Sequence, residues 1–144
     1  MLEALRLRRG ELRESMGALE RAMAAPAEAG RSRWGQRVHV ALVELSGDVR
    51  EHIEITEGAD GLYRDVLKTS PRLSGAVNRL MSEHRVIQSH VDDLMARLQT
   101  PGGAEDVDTI RDLGTALISV LLRHRQRGSD LVFEAYEVDI GGET

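Results

Sequence analysis

The sequence predicts an all-α protein, an antiparallel up-down-up-down four-helix bundle. Apolar residues recur at steps of three and four along the chain, and no stretch alternates apolar and polar long enough to read as a strand. Clusters of helix breakers at 26–30, 69–71 and 100–103 divide the chain into four long amphipathic segments. The connections are short, so consecutive helices must pack antiparallel.

The first segment, about 2–25, carries the stripe Leu5, Leu12, Met16, Leu19 and Met23 and stops at Pro26. The second starts near Arg31 and presents Trp34, Val38, Leu42, Leu45, Val49 and Ile53. Gly58 and Gly61 are expected to loosen or kink it, with 62–68 adding a further turn or two. Thr69-Ser70-Pro71 closes it and opens the third segment, with Ser70 as N-cap and Pro71 at the first helical position. That third segment, 71–99, carries Leu73, Val77, Leu80, Ile87, Val91, Leu94 and Leu98. Glu105, Asp106 and Asp108 open the fourth, where the helix dipole favours negative charge. Its stripe runs through Ile110, Leu113, Leu117, Val120, Leu121, Leu131, Val132 and Ala135, and 140–144 should fray.

A chain of 144 residues, 41% apolar and 30% charged, suits one domain spanning 1–144 with a continuous core. The absence of cysteine removes disulfides, thiol nucleophiles and thiolate metal sites, so any metal must sit on His, Asp and Glu. A net charge of −5 argues against a nucleic-acid partner. No apolar run approaches the roughly 20 residues of a membrane helix, and the first residues lack the apolar stretch of a secretion signal; no membrane partner and a cytoplasmic location are expected. The basic cluster Arg6, Arg8, Arg9 and Arg13 reads first as a solvated helix face and second as a binding patch.

Three of the five histidines lie on the apolar stripe of their own helix. His52 continues 38-42-45-49, His84 sits in 77-80-84-87-91, and His124 sits in 117-121-124-128-131. A single inward histidine is usually a hydrogen-bonded core residue, but three on three helices form a site if they meet at one height. Counted from the marked turns, His52 is 16 residues before Lys68, and His84 is 14 after Ser70. His84 is also 15 before Gln99, and His124 is 18 after Asp106. At about 1.5 Å per residue the three imidazoles share one layer. Glu57, about one turn beyond His52, is the best-placed carboxylate. Asp130, beside Ser129, is the matching candidate on the fourth segment, with Glu134 a turn later. Such a layer suits a non-haem metal in a dry bundle core. His39 and His90 lie at stripe edges and read as boundary residues.

The stretches His52-Ile-Glu-Ile-Thr-Glu57, Glu83-His84 and Leu121-Leu-Arg-His124 resemble the hemerythrin-like, or HHE cation-binding, family over about 31–142. The stretches 58–63 and 130–142 are similar to elements of an actinobacterial subgroup of it. The resemblance implies a four-helix bundle with a two-iron site held by about five histidines and two bridging carboxylates, and roles in oxygen binding, oxygen or nitric oxide sensing, iron handling and peroxide chemistry; for this chain the expectation is non-haem iron, one or two ions, in oxygen, nitric oxide or redox sensing or in iron handling. It matches His52, His84 and His124 to ligand histidines and Glu57 to a bridging carboxylate. The pattern departs from the family at four places. The first helix carries no histidine, and its core stripe passes through Arg8 or Arg9. Gln88 stands where a second histidine of the third helix is expected, and Thr56 and Gly128 stand where carboxylates are expected. The ligand set therefore reads as degenerate and the two-iron site as incomplete.

Two further readings stay open. One is a metal-free bundle serving as a structural or protein-interaction module, with a homodimer as one form. The other is haem held between two bundles through His39 or His90. Neither a phosphate-binding glycine loop nor a nucleophile–base signature is present, so no catalytic residues are assigned.

Overall fold

The computed structural model describes residues 2–28 and 30–138. The terminal stretch 140–144, expected to fray, lies outside the described residues. The helices are α1 (Leu2–Ala24), α2 (Arg31–Glu57), α3 (Leu62–Thr69), α4 (Ser74–Gln99) and α5 (Val107–Phe133). The long helices form a four-helix bundle in which α1 packs on α2, α2 on α4, α4 on α5 and α5 back on α1. Each amphipathic stripe faces the common axis. Leu19, Leu42, Leu45, Leu80, Leu94, Ile110 and Leu117 are buried there.

The turns refine the expected boundaries. Glycines 58 and 61 end α2 outright rather than kinking it. A Cβ at Gly61 would sit 2.7 Å from the Thr56 carbonyl and 2.9 Å from that of Ile55, so only glycine lets the chain fold back so tightly. The next helical stretch is thus a separate helix, α3, which docks on α2. Pro71 opens a short 3-10 turn, Pro71–Leu73, ahead of α4, and the Ser70 side chain makes no capping bond there. At the start of α5, Asp106 is the N-cap. Its carboxylate accepts from the Thr109 backbone N–H at 3.2 Å and from the Thr109 hydroxyl at 2.7 Å. These bonds hold its carboxyl below the ordinary carboxylate range. Arg111 on α5 donates to the carbonyls of Met23 (2.9 Å) and Ala25 (3.1 Å), satisfying acceptors that the end of α1 leaves open. After Phe133 the fifth helix widens into a π-helical turn, Glu134–Val138.

The core is divided in two. A larger apolar cluster runs from Leu12 and Val49 to Leu94 and Ile110, and a smaller one joins Leu5, Leu62, Val66, Leu80 and Leu131. Along each long helix the boundary between the clusters falls at one residue: Arg9 between Leu5 and Leu12, His52 after Val49, His84 between Leu80 and Ile87, and His124 between Leu121 and Leu131. A polar layer crosses the bundle there.

Two glycines give opposite expectations for substitution by alanine. At Gly35 a Cβ would lie 2.4 Å from the Ala104 Cβ, a group with no rotamer to turn aside. Gly35→Ala should therefore lower stability to urea by about 1–3 kcal/mol despite its gain in helix propensity. At Gly75 a Cβ meets nothing within 4 Å, and Gly75→Ala should raise stability by roughly 0.5–1 kcal/mol. Changes of the same sign in both would contradict this packing.

Candidate metal centre

α2, α4 and α5 each deliver one imidazole to the polar layer, because His52, His84 and His124 occupy positions of the apolar stripe. His84 and His124 are buried, and His52 is partly so. The rings converge through their Nε2 atoms. His124 Nε2 lies 3.1 Å from His52 Nε2 and 3.0 Å from His84 Nε2. One nitrogen from each ring falls within 4.8 Å of the others, an arrangement able to hold a metal ion. The layer expected from counting residues is present.

Carboxylates lie behind two of the rings. Glu57 meets His84 at Nδ1, and Glu83 meets His124 at Nδ1 at 2.8 Å. Arg127 in turn binds the other oxygen of Glu83. A carboxylate at Nδ1 accepts a hydrogen bond from the N–H there and so keeps the ring's one proton on that nitrogen, which leaves Nε2 as a lone pair aimed inward. The third outer nitrogen, His52 Nδ1, is buried without a hydrogen-bond partner. Hence the inward nitrogens of His84 and His124 face one another at 3.0 Å with no proton between them. His52 has only one proton to offer to His124. Two opposed lone pairs repel, and a cation among the three nitrogens relieves that repulsion. The donor set fits a metal ion.

The electrostatics agree. Burial, reinforced by His84 and His124, pushes the His52 pKa down to about 3. Burial and then His124 push His84 down to about 3. His124 is also lowered, by burial first, against the opposing pull of Glu83. All three rings are thus neutral at physiological pH, the state required of a ligand. Burial raises the Glu57 carboxyl, and Arg85 partly opposes this.

Around the cluster, the Tyr63 ring stacks on His84 at 5.9 Å between centroids, with its hydroxyl 3.4 Å from His84 Nε2. The Thr56 hydroxyl turns back to the His52 carbonyl at 2.8 Å. From α1, Arg9 donates to the Ser129 hydroxyl and to the Arg125 carbonyl at 3.3 Å. A cavity of about 30 Å³ borders His52 and His124, walled by Arg9, Tyr63 and apolar side chains including Leu12 and Leu121.

Of the residues expected at the site, the structure brings together His52, His84, His124 and Glu57. Glu57 addresses the outer nitrogen of His84 rather than the ring of inward nitrogens. Asp130 stands apart: it is exposed and accepts from Gln126 at 3.1 Å. Glu134 is drawn to Arg72 on the surface at 3.4 Å. Gln88 bonds to Asp92 at 3.0 Å, away from the cluster. His39 and His90 are half-buried, as expected of stripe edges. Between Arg8 and Arg9, it is Arg9 that enters the layer, whereas Arg8 pairs with Glu11 and Glu51. Glu83 and Tyr63 were not assigned to the site from sequence. For Glu83 the signal was its place one residue before an inward histidine, which turns it about 100° toward the neighbouring helix.

The family model for the hemerythrin HHE cation binding domain matches residues 1–136. The chain belongs to this family. The match takes in α1, which the sequence resemblance over 31–142 had left out. No curated protein and no solved structure matches the chain. Within this hemerythrin-family bundle the candidate ligands are three imidazoles from α2, α4 and α5, and α1 contributes an arginine.

The lowered histidines set a pH dependence for the metal-free protein. Between the ordinary value of 6.5 and about 3, the unfolded chain binds protons that folded His52 and His84 refuse. Stability therefore rises with pH across that window and falls on acidification. Urea titrations of chelated protein should show this fall, and His52→Leu should flatten it. An unchanged pH profile in His52→Leu would contradict the assignment.

Proposed function

We propose that this hemerythrin-family bundle binds one non-haem iron ion through His52, His84 and His124 and serves in oxygen, nitric oxide or redox sensing, or in iron handling. The observation that carries the reading is the convergence of three neutral imidazole nitrogens, two of them backed by carboxylates. Imidazole donors with carboxylates behind them suit iron among the first-row metals. Bound there, iron would supply one-electron chemistry and affinity for a diatomic ligand.

The chain's own residues favour a single ion. Glu57 and Glu83 orient His84 and His124 and add negative charge behind them. Arg9 brings a guanidinium to the fourth side of the layer, where a second cation would be repelled. The adjoining cavity of about 30 Å³ is large enough for a water or a diatomic molecule. The Tyr63 hydroxyl borders both the cavity and His84, placed to donate a hydrogen bond there.

A second reading, a metal-free structural or interaction module, draws on the same Arg9: its fixed positive charge replaces a cation at this level, and the His52 proton is shared with His124. The two readings part on metal analysis. Protein reconstituted anaerobically with ferrous iron should retain about one iron per chain, with a higher melting temperature than chelated protein. His124→Ala should lose the metal, and Glu83→Gln should weaken its binding by about 10- to 100-fold. Iron at background level, with no shift in melting temperature, would establish the metal-free reading.

A further inference from the structure

Arg6, Arg9 and Arg13 follow one another along α1 at steps of three and four, with Gly10 among them, so they share one face of the helix. Together with Arg125 of α5 they line a recess of about 240 Å³. Among the described residues, none of these four arginines has a carboxylate within 4.0 Å. This is notable in a chain with 24 acidic and 19 basic residues. Arg8, one step off the face, finds two carboxylates. Like charges three and four residues apart on a helix repel, so the fold bears a cost at this face.

Gly10 adds an independent observation. A Cβ there would meet nothing within 4 Å, so packing does not require glycine. Glycine inside a helix is also less stable than alanine. Its effect is to leave the recess clear between the arginines.

We propose that this recess is a binding site for a small, multiply charged oxyanion of the phosphate class, held by Arg6, Arg13 and Arg125 with Arg9 along its inner side. Guanidinium forks match tetrahedral oxyanions and hold them through paired hydrogen bonds. The recess is open to solvent and has room for a phosphoryl group among the four guanidinium groups. The site does not depend on an ion at the histidines.

The test uses the full chain, freed of metal by chelation and titrated calorimetrically at fixed ionic strength. Inorganic phosphate should bind saturably at one site, and chloride should not. Arg13→Gln should weaken binding about tenfold or more. Gly10→Glu should abolish it while the helical circular dichroism is retained. Glycerol 3-phosphate, titrated separately, identifies the source: binding as tight as that of phosphate marks an esterified phosphoryl group, and binding of phosphate alone marks the free ion. Heat that does not saturate would overturn the proposal. Unaltered phosphate binding in Arg13→Gln would also overturn it, whether or not Gly10→Glu folds.

Discussion

The structure turns on the placement of protons around three imidazoles. Glu57 and Glu83 sit at the outer nitrogens of His84 and His124, and that fixes which nitrogen carries the hydrogen. The inward nitrogens of these two rings are then lone pairs, brought 3.0 Å apart, with His52 Nε2 at 3.1 Å from that of His124, by helices whose apolar stripes pack against a common axis. A bundle of this size can carry such a layer because the apolar clusters on either side supply the burial that holds the helices in register. The same burial strips water from the rings and keeps them neutral. The cost of three buried bases and their readiness for a cation thus have one physical origin.

Arg9 completes the layer and sets its limits. Its guanidinium is partly desolvated, and its pKa is lowered by burial and by Arg125. It is held by the Ser129 hydroxyl and the Arg125 carbonyl rather than by a carboxylate. A cation on the α1 side of the layer confines any metal to the side lined by α2, α4 and α5. The site is therefore asymmetric, three imidazoles facing one arginine. The arginine lies between the small cavity over the histidines and the open recess on the surface.

Much of this was legible in the sequence, because helical periodicity reports both the fold and which histidines turn inward. Counting at about 1.5 Å per residue from the turns placed His84 and His124 in one layer, whereas the count from Lys68 to His52 ran along a helix that ends at Glu57, so only the periodicity of α2 reported its inward turn. What counting could not give was the direction of side chains just off the stripe. Asp130 was drawn in by its height alone, yet its azimuth takes it to solvent and to Gln126. Glu83 was passed over because it is not on the stripe, although the turn it makes toward α5 brings it to His124. Glu57 was placed correctly beside the site, but whether it would face the inward nitrogens or the outer one depends on rotamer and neighbour. The glycines at 58 and 61 were read as a kink because their crowding against carbonyls of the preceding turn exists only in three dimensions.

The central claim is the tautomer of the buried rings, and nitrogen-15 NMR of the histidine side chains measures it directly. In metal-free protein at about pH 6, His84 and His124 should each be neutral, protonated at Nδ1 and bare at Nε2. An Nε2-protonated tautomer at either ring, or an imidazolium signal from the cluster at that pH, would contradict the account.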